Sequence, residues 1–90
     1  MIVKIIQRGG SIKYVKTVDV LVEPLNNCIY LTNSVGKTVI VFKDTTSFNA
    51  AYNKINTAIE NTLPNITFDQ DKNNISKVTS YELRYSHERP

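Results

Sequence analysis

The sequence predicts an α+β fold: an antiparallel meander sheet of four to five strands with one amphipathic helix packed on one face. Three observations predict it. Residues 1–43 alternate apolar and polar side chains in short β-branched runs, punctuated by Gly-Gly, Pro and Asn-Asn. From Phe48 to Leu63 the apolar spacing lengthens to that of a helix. After Pro64 alternation returns. The predicted order is ββββα followed by a C-terminal strand, with residues 1–86 as a single domain and 87–90 as a frayed tail.

Each element has a local reason. Met1–Gln7 carries Ile2, Val3, Ile5 and Ile6, a short β-branched run suited to a buried strand. Arg8-Gly9-Gly10-Ser11 reads as a hairpin turn, because glycine adopts the positive φ that tight turns need. Ile12–Glu23 alternates over its whole length and predicts one long strand. Ile12, Tyr14, Val18, Val20 and Val22 share one face, and Lys13, Val15, Thr17, Asp19, Leu21 and Glu23 the other. Pro24-Leu25-Asn26-Asn27 ends it, since proline cannot donate to a ladder. Cys28–Thr32 and Thr38–Lys43 follow as strands joined by a turn at Asn33–Lys37. Asp44-Thr45-Thr46-Ser47 supplies N-cap oxygens for a helix with Phe48, Ala51, Tyr52, Ile55, Ala58, Ile59 and Leu63 on one stripe. Pro64 stops that helix, because the residue before a proline disfavours the α region. Residues 66–68 predict a short strand and Ile75–Ser86 a long one, the two forming a hairpin across the polar segment 69–74.

Composition narrows the function classes. The chain has 90 residues, 41% hydrophobic and 21% charged, the balance of a folded globular domain rather than a disordered one. No apolar run nears the roughly 18 residues of a membrane span, and Met1-Ile-Val-Lys4 does not open like an export signal. No membrane association is expected. A single cysteine, Cys28, excludes an internal disulfide framework and fits a reducing compartment. Ile and Asn supply 10 residues each and Lys 8, against 3 each of Ala, Gly, Pro and Arg. That bias follows AT-rich codons and points to the cytoplasm of a bacterial or phage-infected cell. The net charge is +3, and the basic excess lies in the first half of the chain.

Motifs that could carry chemistry are incomplete. Gly36-Lys37-Thr38 resembles the end of a phosphate loop but lacks the leading glycine, with Leu31 in its place, and runs into a strand rather than a helix. Asp69-Gln70-Asp71-Lys72-Asn73 has the spacing that begins a calcium loop, yet Asn74 and Ser80 stand where a glycine and a bidentate carboxylate are needed. Cys28 and His87 supply too few ligands for zinc, and a nucleophile pair would need a third group to orient the base. Asp19 and Glu23, four residues apart on a strand, stand roughly 13 Å apart, too far for a two-carboxylate glycosidase. No catalytic residue, cofactor or metal site is expected.

What remains is binding. One helix roofs about one face of such a sheet, which leaves apolar groups on the other. Val15, Leu21, Tyr30, Val78 and Tyr85 are the expected interface residues, and a homodimer is the expected assembly. The sequence thus reads as a small non-enzymatic binding protein, an accessory protein of a phage or mobile element that self-associates and modulates or inhibits a protein partner. The alternative is a single-strand nucleic-acid binder using Lys4, Arg8, Lys13, Lys16 and Arg84 beside exposed tyrosines.

Overall fold

The computed structural model describes residues 1–82, and the architecture is α+β. The strands are β1 (Ile2–Ile6), β2 (Ile12–Lys16), β3 (Asp19–Glu23), β4 (Cys28–Asn33), β5 (Gly36–Phe42), β6 (Asn65–Asp69) and β7 (Ile75–Glu82). The helix α1 spans Thr45–Glu60, and a 3-10 turn covers Pro24–Asn26. The strands form two sheets rather than one meander. The first is three-stranded in the order β2-β1-β6, and the second four-stranded in the order β3-β4-β5-β7.

The long strand expected over Ile12–Glu23 is interrupted, and the interruption creates the second sheet. Thr17 N–H still donates to the Met1 carbonyl (2.8 Å), whereas the next residue, Val18, donates to the Thr32 carbonyl (2.8 Å). The chain changes sheets between these two residues, and its inward parity changes with it. Val15 and Thr17 are buried before the break, whereas Val20 and Val22 pack against the core after it. Tyr14 (67% exposed) and Val18 (76%) therefore face solvent. Val15, expected on the open face, lies in the core at 6% exposure.

Two further pairings depart from the expectation. The strand β6 does not form a hairpin with β7. It pairs parallel to β1, placing Ile66 beside Val3 and Phe68 beside Ile5, all four buried. The residues between β6 and β7 carry the chain across to the second sheet, where β7 pairs antiparallel with β5. A β-bulge between Val41 and Phe42 inverts the parity of β7. Ile75 opposite Phe42 points inward and Tyr81 opposite Lys37 points outward, although residues six apart in an unbroken strand share a side. Val78, an expected interface residue, is consequently half-buried against the core. Leu83–Ser86 of the expected last strand and the tail 87–90 lie outside the described residues.

Both sheets and the helix share one core. Phe42 meets Phe48 of α1 edge-on with centroids 6.4 Å apart, and Phe68 of the other sheet at 6.2 Å. The helix buries Phe48, Ala51, Ile55 and Ala58. Tyr52, Ile59 and Leu63, the margin of the expected stripe, stay exposed. The inner face of the second sheet is thus roofed by the first sheet together with the helix. No described helix is long and apolar enough to cross a membrane.

Candidate binding surfaces

Strand register dictates what the outer face of the four-stranded sheet presents. Side chains alternate, so every second residue of each strand points outward, and cross-strand partners form rows. The central row runs Leu21–Tyr30–Val39–Thr79. One flanking row is Asp19–Thr32–Lys37–Tyr81 and the other Glu23–Cys28–Val41–Lys77. The middle of the face is therefore apolar. Its β3 edge carries two carboxylates, and the β5–β7 side two ammonium groups. Among the described elements only the Pro24–Asn26 turn meets it, at the Cys28 corner.

Several of these side chains are held in place. Tyr30 donates its hydroxyl to Glu23 Oε1 (2.8 Å), which raises the Tyr30 pKa, since the bond favours the protonated phenol. Lys37 Nζ lies 5.4 Å from the ring centroids of both Tyr30 and Tyr81, bridging them across β4, β5 and β7. Leu21 is 60% exposed. Cys28 shares this face but is buried beside the Pro24–Asn26 turn. Burial, and after it the Glu23 charge, push its thiol pKa up. A thiol so placed is a weak nucleophile. Leu25, at the tip of that turn, is almost fully exposed.

The second surface is a cleft at the open end between the two sheets. Its volume is about 320 Å³, and Lys13, Tyr14, Lys16, Lys37 and Tyr81 line it above the buried Val15 and Leu31. A wider cleft of about 620 Å³ continues from it, sharing Lys16, Asn33 and Val35 and reaching Val18 and Ile2. Asn33 builds the junction. Its Oδ1 accepts from the N–H groups of Val35 (2.9 Å) and Gly36 (3.1 Å), closing the β4–β5 turn, and its Nδ2 donates to the Lys16 carbonyl (2.6 Å).

The basic residues expected to act together are thereby divided. Lys13 and Lys16 line the cleft. Lys4, paired with Tyr14, is on the outer face of the three-stranded sheet. Arg8 is drawn away: its Nε bonds Asp71 Oδ1 (3.2 Å), the one ion pair among the described residues. Lys37, which sequence reasoning passed over as part of a turn, borders the same cleft, but its ammonium lies over Tyr30 and Tyr81 on the outer face. Arg84 and Tyr85 lie outside the described residues.

The calcium-like segment has a structural use. Asp69 Oδ1 accepts from the N–H groups of Asp71 (3.0 Å) and Lys72 (3.1 Å), and Asn73 Oδ1 accepts from Asp69 N–H (2.7 Å). Among the described residues no three His, Cys, Asp or Glu side chains converge on a common point. No protein-family model matches the chain, and neither curated proteins nor solved structures yield a match.

Proposed function

We propose that this chain is a small non-enzymatic binding protein that associates with a second copy of itself through the outer face of its four-stranded sheet. One observation carries the reading. The face has an apolar centre, an acidic edge on β3 and a basic side on β5 and β7. Such a face is self-complementary under one symmetry only. A two-fold axis parallel to the strands lays β3 of one copy over β7 of the other. Glu23 then stands opposite Lys77 of the second copy, and Tyr30 opposite its Val39. An in-plane axis perpendicular to the strands would stack the carboxylates of the two β3 edges on each other.

The expected strength follows from size. Four strands about 4.8 Å apart, with outward residues repeating every ~6.8 Å, offer a patch of roughly 15 by 15 Å. That is well below the usual ~800 Å² per partner, so a weak dimer with a Kd in the micromolar range is expected. The low nucleophilicity of Cys28 and the backbone duty of Asp69 support a binding rather than a catalytic role. A dimer of this kind would bury the face in each copy and free it on dissociation, a natural way for an accessory protein to modulate a protein partner.

Size-exclusion chromatography with light scattering, from about 5 to 500 μM, tests the reading. The mass should rise from monomer to dimer over that range, and Val39→Glu should keep it monomeric. Lys77→Glu should weaken the dimer, and Glu23→Lys in the same chain should restore it. A strict monomer throughout, or a dimer indifferent to Val39→Glu, would refute the proposal.

A further inference from the structure

We infer that the free edge of β2 takes up an acidic extended peptide as an added strand, a function independent of the dimer face. Backbone direction is the first argument. The bonds from Thr17 N–H to Met1 O (2.8 Å) and from Gln7 N–H to Ser11 O (2.7 Å) belong to the β1–β2 register. Bonded and non-bonded pairs alternate along an antiparallel ladder. Val3–Val15 and Ile5–Lys13 are therefore bonded, and the N–H and C=O groups of Ile12, Tyr14 and Lys16 point away from β1. Asn33 confirms the direction, since its Nδ2 reaches the Lys16 carbonyl (2.6 Å) from the other sheet. That amide stands where the first donor of an added strand would. The backbone groups of Ile12 and Tyr14, further along the edge, have no partner among the described residues.

The opposite edge of the same sheet is treated differently. On β6, Lys54 Nζ donates to Thr67 O, and Asn73 Oδ1 accepts from Asp69 N–H (2.7 Å). Side chains thus occupy two of the backbone groups that β6 turns outward. An edge left open in a sheet whose other edge is blocked is a place for a strand to add.

Space and charge select the occupant. Lys13, Tyr14, Val15 and Lys16 all line the cleft of about 320 Å³, although their side chains alternate between faces, so the cleft runs along the edge of β2. A strand laid there sets its side chains alternately beside Tyr14 and Lys16 on the outer face and beside Lys13 and Val15 on the inner one. Those two lysines are three residues apart on opposite faces, and neither has an ion-pair partner among the described residues. Carboxylates three apart in the bound strand meet both. Nucleic acid fits less well, because phosphates accept from the edge N–H groups but cannot donate to the Ile12 and Tyr14 carbonyls. A second copy would bring its own Lys13 and Lys16 to the seam, and like charges there oppose pairing.

The test is fluorescence anisotropy with a labelled heptapeptide, Glu-Val-Thr-Glu-Val-Thr-Glu, at about 50 mM salt, where surface charge is little screened. Lys13→Ala/Lys16→Ala should weaken binding about three- to tenfold, and a peptide with lysine for each glutamate should not bind. N-methylation separates strand addition from charge alone. Methylating one alternate set of peptide amides should abolish binding, and methylating the other should leave it within about twofold. Hydrogen exchange locates the site. In the free protein the Tyr14 amide should exchange far faster than those of Lys13 and Val15, and saturating peptide should slow it at least about tenfold. Failure of the heptapeptide to bind would overturn the inference. So would equal effects of the two methylated sets, a Tyr14 amide already protected in the free protein, or tighter binding of a 15-nucleotide oligothymidylate. Val39→Glu should bind the peptide like the parent, so dimerisation and peptide capture can fail separately.

Discussion

Gly36 shows how a residue's role depends on what approaches it. In the sequence it belongs to a phosphate-loop-like tripeptide, but in the structure it opens β5 under the backbone of β7. A Cβ built there would lie 2.2 Å from the Tyr81 carbonyl oxygen, well inside contact distance. Since the obstacle is backbone, Gly36→Ala must push the end of β7 away from β5. The expected cost is about 1–3 kcal/mol, read as a lower urea midpoint, together with loss of amide protection at the end of β7. An unchanged midpoint would mean that β7 is not paired this far along. The sequence supplied the glycine but no sign of this use, because the obstructing strand lies some 45 residues further on. The buried thiol of Cys28 was easier to foresee, since a lone cysteine in an alternating strand most often packs as a small hydrophobe.

Among the elements, α1 was the most legible, because its signals are local. Asp44 has extended geometry (φ −150°, ψ 169°), and its Oδ1 accepts from Ser47 N–H (2.7 Å). At the other end Leu63 N–H returns to Ala58 O (2.8 Å) and Thr62 N–H to Ile59 O (3.2 Å), a left-handed stop that places Thr62 at φ +53°. The bonds from Ser47 hold the Asp44 carboxyl below its ordinary value of 3.8. A lowered folded pKa adds stability that is complete above the ordinary value and lost as pH falls through the folded one. Asp44→Ala should therefore lower the Tm by about 5 °C at pH 7. The gap to the parent should close as the pH is taken below about 3.8. Thermal melts at pH 7, 4 and 2.5 check this, and an equal gap at all three would rule out the carboxylate as the cap. The strands were legible as strands, but their facing was not. Alternation gives parity only within an unbroken strand, and both the switch at Thr17–Val18 and the bulge in β7 opposite Val41 and Phe42 reverse it.

At the scale of the molecule, stability rests on one core shared by two sheets. Phe68 is fully buried in the three-stranded sheet yet packs edge-on against Phe42 of the four-stranded one, with the Lys54 ammonium 4.9 Å from its centroid. Phe68→Ala should cost about 3–5 kcal/mol, a large fraction of the stability of a domain this small. The loss should appear as a single cooperative urea transition at lower denaturant. Two separate transitions, or a loss below 1 kcal/mol, would show that the sheets do not depend on each other. By itself the sequence determined the element types, the helix and its caps, the α+β class and the presence of outward apolar residues such as Leu21 and Tyr30. Local periodicity and capping chemistry are written in neighbouring residues. Only the tertiary structure decided that the strands divide into two sheets, that β6 runs parallel to β1, that Val15 and Val78 turn inward, and that Lys37 bridges Tyr30 and Tyr81 on the outer face. Those outcomes depend on which distant edges meet: from Val18 onward the chain bonds to β4, beginning with Val18 N–H to Thr32 O, rather than to the first sheet.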